Sequence, residues 1–258
     1  MPAHDLDLLI DAARIAGRVA TSFTGATAAR WDKPDGQGPV TAADLAVNEM
    51  LTATLRTARP DYGWLSEETE DGAARLDAER VFIVDPIDGT RSFVEGSTTW
   101  AHSIAVAERG VVTAAVVFLP LRDKLYAAAL GRGATLNGAP IKASGECTIE
   151  DMTVLAARPT MVADNWALAQ VPTFKRSYRP SLAYRLSLVA EGRFDGMLTI
   201  RPTWEWDIAA GCLIVTEAGG DASDRTGAAL VYNNADPRFD GIVAGSACGH
   251  AALVTALA

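Results

Sequence analysis

The first apolar positions of the chain recur at helical spacing. They are Leu9, Ala13, Ala16, Ala20 and Phe23. Residues three and four positions apart share one face of a helix, so the pattern predicts an amphipathic helix over residues 5–23. Residues 24–39 are rich in Gly, Pro and Asp and predict a loop. Thr41 then suits the N-cap of a second helix that continues through Leu55.

The strand signals lie in the middle and near the end of the chain. Residues 80–84, Arg-Val-Phe-Ile-Val, form a short β-branched apolar run that predicts a buried strand. Asn137-Gly138 predicts a hairpin turn, which indicates antiparallel neighbours. Further apolar runs predict strands at residues 101–107, 111–118, 124–128, 197–200 and 241–245.

Three more helices are predicted in the second part of the chain, over residues 182–190, 206–218 and 249–257. Gly219 and Gly220 supply the stop signal of the second one. Because helices and strands alternate in blocks, we expect an α/β layered fold. We also expect a boundary near residues 142–152, which divides the chain into an N-terminal half, 1–145, and a C-terminal half, 146–258.

Composition places the chain among ordinary globular proteins. Of its 258 residues, 49% are hydrophobic and 21% are charged, which argues against a disordered or fibrous chain. The formal net charge of −9 counts against a nucleic-acid-binding surface, because such surfaces need clustered basic residues. A bound metal ion can reverse the local sign of a site, so this charge does not exclude an anionic substrate.

The cysteines and the N-terminal segment bear on the cellular compartment. Cys147, Cys212 and Cys248 show no C-x-x-C spacing, so we expect reduced thiols rather than a disulfide framework or a structural zinc site. The N-terminal segment lacks the basic start and apolar stretch of a signal peptide. No apolar run approaches the roughly 20 residues that a membrane-spanning helix needs. We therefore expect a cytoplasmic protein that binds no membrane.

Two carboxylates stand three residues apart where the strand over residues 80–84 ends. The string is Asp85-Pro86-Ile87-Asp88-Gly89-Thr90. Carboxylates bind hard cations such as Mg²⁺, and backbone N–H groups at a turn or helix start bind phosphate. Asp-Pro and Asp-Gly are also common in turns without a chemical role. The complete string after an apolar strand is more specific, and it favours metal-assisted phosphoryl transfer.

Three further acidic residues have both a structural and a chemical interpretation. Glu67, in Ser66-Glu67-Glu68, either lies on a solvated surface or belongs to the same site. Asp44 either favours the first turn of its helix or joins the site. Asp207 lies between Trp206 and small apolar residues at a predicted helix start, where a charge without a partner is costly. It therefore either caps the helix or binds a cation.

Together these segments resemble the inositol monophosphatase superfamily, the magnesium-dependent and lithium-sensitive phosphatases. The matching strings occur in the family's order and spacing, and the resemblance covers essentially the whole chain. They are residues 39–44 (Pro-Val-Thr-Ala-Ala-Asp), 66–68 (Ser-Glu-Glu), 85–90, 206–211 (Trp-Asp-Ile-Ala-Ala-Gly) and 217–220 (Glu-Ala-Gly-Gly). The resemblance implies an α-β-α-β-α sandwich like that of fructose-1,6-bisphosphatase, and a homodimer.

The resemblance also implies the residues of the site, with two or three Mg²⁺ ions between the halves of the chain. The implied metal ligands are Glu67, Asp85, the carbonyl of Ile87, Asp88 and Asp207. The implied substrate contacts are Asp88, Gly89, Thr90, Ser181 and Asp207, with the amides of Gly89 and Thr90 around the phosphate. The implied catalytic residues are Glu67, Thr90 and Asp44. Thr90 and Glu67 would orient the attacking water, and Asp44 would act through water on a third, weaker ion.

The implied substrate is a small phosphate monoester, and three candidates stay open. Pro202-Thr203 and Ser181-Leu182 resemble the bacterial 3′(2′),5′-bisphosphate nucleotidase branch, which makes adenosine 3′,5′-bisphosphate the leading candidate. Inositol-specific members carry a glutamate where this chain has Thr199 or Ile200, so inositol 1-phosphate ranks as an alternative behind the bisphosphate. Histidinol phosphate is the third candidate, because residues 88–91 (Asp-Gly-Thr-Arg) resemble some members of that branch. Arginines in this region could pair with a second phosphate or lie on the surface. They are Arg176, Arg179, Arg185 and Arg201.

The rival interpretation from another class is a non-catalytic, metal- or phosphate-binding regulatory protein that keeps the fold. Loss of a ligand carboxylate or of the threonine would indicate it. Glu67, Asp85, Asp88, Thr90 and Asp207 are all present. His102 lies in an apolar run and is interpreted as structural rather than as a catalytic base. The sequence therefore favours an enzyme.

Overall fold

The computed structural model describes residues 2–23, 28–32 and 38–257, with the side chains of helix α1 described from His4 onward. Its helices alternate with strands in layers. The helices are α1 (Pro2–Ser22), α2 (Ala42–Ala58), α3 (Thr90–Val94), α4 (Leu182–Ala190), α5 (Glu205–Glu217) and α6 (Ala247–Ala256). Among the described residues, no helix is both long enough and apolar enough to cross a membrane.

A seven-stranded sheet forms the first β layer, in the order β3-β4-β5-β6-β7-β8-β9. Strand β3 runs parallel to β4, and the other pairs are antiparallel. Asn137-Gly138 joins β8 to β9, which confirms the predicted hairpin turn. The strands are β3 (Gly63–Ser66), β4 (Arg80–Asp88), β5 (Ala101–Glu108), β6 (Val111–Leu119), β7 (Lys124–Ala129), β8 (Ala134–Leu136) and β9 (Ala139–Pro140).

A five-stranded mixed sheet forms the second β layer, in the order β11-β10-β12-β16-β14. Its strands are β10 (Thr153–Ala156), β11 (Lys175–Ser177), β12 (Gly196–Thr199), β14 (Gly220–Ser223) and β16 (Ile242–Ser246). Two short ribbons complete the described strands. They are β1 (Arg30–Asp32) with β2 (Pro39–Thr41), and β13 (Thr203–Trp204) with β15 (Arg238–Phe239).

The helices and the two sheets stack in five layers. Helices α1 and α2 cover one face of the seven-stranded sheet, α4 and α5 fill the space between the sheets, and α6 packs on the outer face of the five-stranded sheet. Strand β4 shows how the sequence produces this arrangement. Val81 and Ile83 face α4 and α5, whereas Phe82 and Val84 face α1 and α2. A strand that is buried on both faces has a continuous apolar sequence, as residues 81–84 do. The predicted α-β-α-β-α layering is confirmed.

Several predicted boundaries agree with the structure because local signals fix them. Helix α4 spans the predicted residues 182–190. Helix α2 begins with the predicted N-cap, since the Thr41 hydroxyl accepts the amides of Ala43 and Asp44 while the Asp44 carboxylate accepts the Thr41 amide at 2.8 Å. This reciprocal capping box satisfies amides that the first turn would otherwise leave unpaired. It also fixes the direction of the Asp44 side chain.

The predicted loop over residues 24–39 is wrong in part. Residues 30–32 and 39 form antiparallel strand pairs, with Arg30 opposite Thr41 and Trp31 opposite Val40. Both strands are three residues long, too short for periodicity to reveal them. Residues 24–27 and 33–37 lie outside the described residues. Strand β4 also extends past the predicted end at Val84 and includes Asp85 and Asp88.

The expectation of three reduced cysteines is also wrong. Cys147 and Cys248 form a disulfide across 101 residues of sequence, with their Cα atoms 5.1 Å apart, and Cys212 is the free, buried thiol. The segment before β10 passes the N-terminus of α6, where the Ser246 hydroxyl donates to the Glu146 carbonyl at 2.7 Å. This tertiary contact brings the two cysteines together, and no short spacing in the sequence could reveal it.

The seven-stranded sheet ends before residue 145, and the five-stranded sheet begins after residue 146. Helix α5, from the second part of the chain, packs against β5 and β6 of the first sheet. A single apolar cluster therefore contains residues from both sheets and from α4 and α5. The division into halves 1–145 and 146–258 stays a prediction.

Candidate active site

Strand β4 ends in a β-bulge that turns Asp85 and Asp88 toward the same cleft. Asp85 lies opposite Ser103 and Asp88 opposite Ala101, so β4 advances three residues while β5 advances two. Side chains alternate along a strand, and two residues three apart would otherwise face opposite sides of the sheet. The extra residue reverses the alternation. Both carboxylates therefore line one cleft, between the seven-stranded sheet and α4 and α5.

Asp207 joins them from the first turn of α5. One carboxylate oxygen from each of Asp85, Asp88 and Asp207 lies within 4.8 Å of the other two. Asp85 is 1% exposed and Asp88 is 7% exposed. Asp207 is partly exposed, so the cluster of three acidic side chains is buried on the Asp85 and Asp88 side and open toward the cleft at Asp207.

Burial and mutual repulsion disfavour the charged forms of these carboxylates. Burial raises the pKa of Asp85 well above its ordinary value, and the charges of Glu67, Asp88 and Asp207 raise it further. Burial likewise raises the pKa of Asp207, with further contributions from Asp88 and Glu67. A divalent cation removes this repulsion, and carboxylate oxygens are the ligands that Mg²⁺ and Ca²⁺ prefer. The donor set therefore fits a hard divalent cation.

Glu67 reaches the cleft because β3 runs parallel to β4. It follows the last residue of β3, and its amide donates to the Val84 carbonyl at 3.2 Å. Its side chain lines the cleft and hydrogen bonds with Asp85. The parallel pairing of Ser66 with Val84 thus places Glu67 beside Asp85.

Helix α4 fixes the orientation of Asp88. The Ser181 hydroxyl and the Ala183 amide both donate to Asp88 Oδ2, at 2.6 and 2.7 Å. Ser181 also caps α4, since its side chain accepts the Tyr184 amide at 3.0 Å. Ser181, expected to contact substrate, lies in the same cleft, and its hydroxyl holds a carboxylate in place.

Asp44 and Thr90 form a buried pair beside the carboxylates. Thr90 Oγ1 is 3.1 Å from Asp44 Oδ1 and 3.2 Å from the Ile87 carbonyl, and it donates to these acceptors. Burial raises the pKa of Asp44, and the charge of Glu67 adds to the effect. The capping box of α2 therefore places the Asp44 carboxylate beside the Thr90 hydroxyl at the start of α3.

Gly89 makes the turn between the bulge and α3. Its backbone has φ +97°, in the left-handed region that favours glycine. A Cβ at this position would lie 3.4 Å from Ser181 Cβ and 3.5 Å from the Thr99 carbonyl oxygen. The turn brings the backbone of Gly89 and Thr90 to the wall of the cleft.

The cleft has a volume of about 640 Å³, and basic and aromatic side chains line part of it beside the carboxylates. Tyr178, Arg185, Arg201 and Trp204 line this part. The Arg185 guanidinium stacks on the Tyr178 ring, 4.5 Å from its centroid. The charge of Arg201 lowers the pKa of Asp207, against the effect of burial. The cleft therefore has a basic wall close to its acidic site.

The four arginines of the sequence analysis separate into two pairs. Arg185 and Arg201 line the cleft. Arg176 is exposed and donates to the Ala156 carbonyl at 2.9 Å, while Arg179 lies over the Phe194 ring. Spacing in sequence could not separate them, because the packing of α4, which contains Arg185, and of the segments before and after it decides which side chains reach the cleft.

Sequence reasoning missed the residues that hold the start of α5. The Ser103 hydroxyl donates to the Trp206 carbonyl at 2.9 Å. Glu205, fully buried, accepts the amides of Asn233 and Asn234 at 2.7 and 2.9 Å. The position of Glu205 between Trp204 and Trp206 is the sequence signal of its burial. These contacts fix the turn of α5 that carries Asp207.

Glu217, part of the Glu-Ala-Gly-Gly string, has a structural place. Its carboxylate accepts the amides of Gly131, Arg132 and Gly133 in the turn between β7 and β8, at 2.7–3.0 Å. It therefore joins the end of α5 to the seven-stranded sheet.

His102 lies in the core, fully buried, with Nδ1 hydrogen bonded to the Pro86 carbonyl.

The layered α/β fold and the acidic cleft at the end of β4 agree with the class of metal-dependent phosphatases. The sequence profile of the inositol monophosphatase family matches residues 3–257. The chain belongs to this family, whose members hydrolyse phosphate monoesters.

Named relatives and solved structures agree with this family. The chain is 33% identical to the inositol-1-monophosphatase of Mesorhizobium japonicum, over 98% of this chain and 95% of that protein. It is also 33% identical to the Nus factor SuhB of Escherichia coli K12, over 86% of this chain and 85% of that protein. The structure of the Thermotoga maritima IMPase superposes with a TM-score of 0.83 at 28% identity, covering 97% of this chain and 95% of that one.

We expect the metal-free protein to lose stability as pH rises from 5 to 7. The folded-state pKa values of Asp85 and Asp207 lie above their unfolded values. The stability linked to them is therefore fully present below the unfolded pKa of about 3.9 and is lost as pH rises through the folded values. Asp85→Asn removes one buried charge, and it should raise the free energy of unfolding at pH 7 by on the order of 1–3 kcal/mol.

Urea denaturation in EDTA at pH 5 and pH 7 measures both effects. Asp236→Asn is the matched control, because Arg238 lowers the pKa of this surface carboxylate, and its removal should bring no gain. Wild-type stability that increases over this pH interval, or an Asp85→Asn protein less stable than wild type in EDTA, would contradict the interpretation.

Proposed function

We propose that this protein is a Mg²⁺-dependent phosphatase in which water attacks the phosphorus of a small phosphate monoester. The observation that carries the proposal is the convergence of Asp85, Asp88 and Asp207 within 4.8 Å. When bound, Mg²⁺ supplies a Lewis acid that makes water more acidic and neutralises charge on the phosphoryl group. The remaining requirements are orientation and proton handling, which the residues of the chain provide.

The proposed ligands come from the ends of strands β3 and β4 and from the first turn of helix α5. Glu67, Asp85 and the Ile87 carbonyl would hold one ion, and Asp85, Asp88 and Asp207 a second. A third would lie near Glu67, with Asp44 acting through water. The hydrogen bonds from Ser181 and Ala183 to Asp88 fix one of these ligands before any cation binds. Preorganised ligands of this kind need little rearrangement when the ion enters.

Thr90 and Asp44 are suited to orient the attacking water. Thr90 Oγ1 donates its proton to Asp44 Oδ1 or to the Ile87 carbonyl, so its lone pairs are left to accept a proton of water. Glu67, on the same cleft, would accept the other proton. The amides of Gly89 and Thr90 would donate to the phosphate oxygens, where charge increases during transfer.

Adenosine 3′,5′-bisphosphate is the substrate that the cleft favours. Arg185 and Arg201 lie on the basic wall, and a guanidinium can bind a second phosphate through two parallel hydrogen bonds. Tyr178 and Trp204 add aromatic surface that a nucleoside can contact. Thr199 and Ile200, at the place of the inositol-binding glutamate, are not among the described residues that line the cleft.

Inositol 1-phosphate is the second candidate, because relatives at 33–36% identity are named inositol-1-monophosphatase. Histidinol phosphate is the third, and it rests on the resemblance of the 88–91 segment alone. The complete set of acidic ligands and the Thr90 hydroxyl argue against the regulatory, non-catalytic alternative, since turnover is what requires them together.

We expect hydrolysis to require both the cation and the complete carboxylate set. Excess EDTA should abolish phosphate release, and Mg²⁺ should restore it. Asp207→Asn should lower kcat by roughly three orders of magnitude, because loss of a ligand weakens charge stabilisation in the transition state. A phosphate-release assay measures these effects, with Asp236→Asn as a surface control at wild-type rate. Full activity in EDTA, or wild-type kcat for Asp207→Asn, would refute the proposed function.

The substrate assignment predicts a selective effect of Arg201. Arg201→Gln should raise KM for adenosine 3′,5′-bisphosphate by about 10–100-fold, the cost of one charge-assisted hydrogen bond. The variant should change kcat/KM for inositol 1-phosphate far less, because this substrate has no second phosphate. Arg176→Gln, at an exposed arginine away from the cleft, is the matched control. A higher wild-type kcat/KM for inositol 1-phosphate than for the bisphosphate would make inositol 1-phosphate the preferred substrate.

A further inference from the structure

His102 faces the bulge that brings Asp85 and Asp88 together. The paired positions around it are Asp85 with Ser103 and Asp88 with Ala101. Pro86 and Ile87 on β4 therefore oppose His102 alone on β5. Regular pairing is interrupted at this point, and Pro86 has no amide to donate. The carbonyl of Pro86 instead accepts a hydrogen bond from His102 Nδ1.

The chemistry of this contact fixes the state of the ring. A carbonyl oxygen only accepts, so Nδ1 must carry a proton. The imidazole is fully buried, and burial lowers its pKa to about 4. It is therefore neutral at ordinary pH, with its single proton on Nδ1 and a lone pair on Nε2. His102 is a fixed donor to Pro86.

Packing holds the ring in this position. It meets the Trp100 ring edge-on, with centroids 5.5 Å apart, and lies 6.3 Å from the Phe118 ring. Within the described part of the chain, Nε2 has no hydrogen-bond partner. A buried polar atom without a partner destabilises the fold by about 1–3 kcal/mol, and an apolar side chain would avoid that cost. Packing alone does not explain a histidine at this position.

We propose that His102 is a positioning residue that holds the bulge at Pro86 so that Asp85 and Asp88 meet at one cation. Pro86 stands directly between Asp85 and Ile87, and a shift of its peptide changes the direction of both neighbours. His102 touches neither substrate nor cation. It acts through the backbone, and the inference rests on the proposed metal site.

Ser103, the next residue of β5, makes a similar contact with the backbone beside Asp207. Ser103 points to the opposite face of the strand, and its hydroxyl donates to the Trp206 carbonyl at 2.9 Å. Trp206 immediately precedes Asp207. Two consecutive buried polar side chains of β5 thus each hold the backbone next to a proposed ligand. Strand β5 therefore positions the backbone beside Asp85, from the first part of the chain, and beside Asp207, from the second.

Asn and Leu variants of His102 separate the hydrogen bond from packing. The amide nitrogen of asparagine can take the place of His102 Nδ1. Leucine has nearly the same shape as asparagine but carries no hydrogen-bond donor. Isothermal titration of the EDTA-treated, dialysed protein with Mn²⁺ measures the cation affinity directly, without turnover. We expect His102→Leu to raise Kd for Mn²⁺ by about 10–100-fold, the range found for residues that orient metal ligands. His102→Asn should stay within about threefold of wild type.

His250 supplies the matched control, since its Nε2 lies 2.7 Å from the Ser223 hydroxyl at a site away from the cleft. His250→Leu should lower stability and leave Kd for Mn²⁺ unchanged. If His102→Leu does not fold, His102→Val, a better strand former, takes its place. A donor-free variant with wild-type Kd, or an asparagine variant as weak as leucine, would overturn the inference. Wild-type protein that binds no Mn²⁺ would instead overturn the proposed function.

Discussion

Repulsion among buried carboxylates is the constraint on which the rest of this structure depends. Asp85, Asp88 and Asp207 approach within 4.8 Å, and burial raises the pKa of each. Such a cluster persists only if the surrounding fold holds it and if binding of a cation repays the cost. Part of the formal net charge of −9 comes from these aspartates. A cation bound in the cleft would offset their charge, so an acidic chain can still accept an anionic substrate.

The fold supplies the restraint at the ends of its elements. A bulge ends β4, a capping serine begins α4, and a buried glutamate holds the start of α5. The Ser181 hydroxyl accepts an amide of the first turn of α4, which the helix itself would leave unpaired, and it also donates to Asp88. The bulge and the Glu205 contacts position Asp85, Asp88 and the turn that carries Asp207.

The layers and the acidic residues could be predicted from the sequence, because both leave local signals. The apolar run 80–84, the Thr41 cap and the Asp85–Thr90 string identified β4, α2 and the centre of the site. The disulfide between Cys147 and Cys248, the donor His102 and the separation of Arg185 and Arg201 from Arg176 could not be predicted. These depend on residues far apart in sequence, or on which face of a strand a side chain takes after a bulge. Tertiary contact, rather than propensity, decides them.

The central claim is that the three aspartates form a divalent cation site, and diffraction from crystals soaked in Mn²⁺ tests it most directly. Anomalous scattering locates the ion without reference to activity or substrate. We predict a peak bounded by oxygens of Asp85, Asp88 and Asp207, at the 2.0–2.2 Å or so typical of such bonds, and its loss in Asp207→Asn crystals. A cleft without anomalous density at saturating Mn²⁺, with ions bound only elsewhere on the protein, would contradict the account.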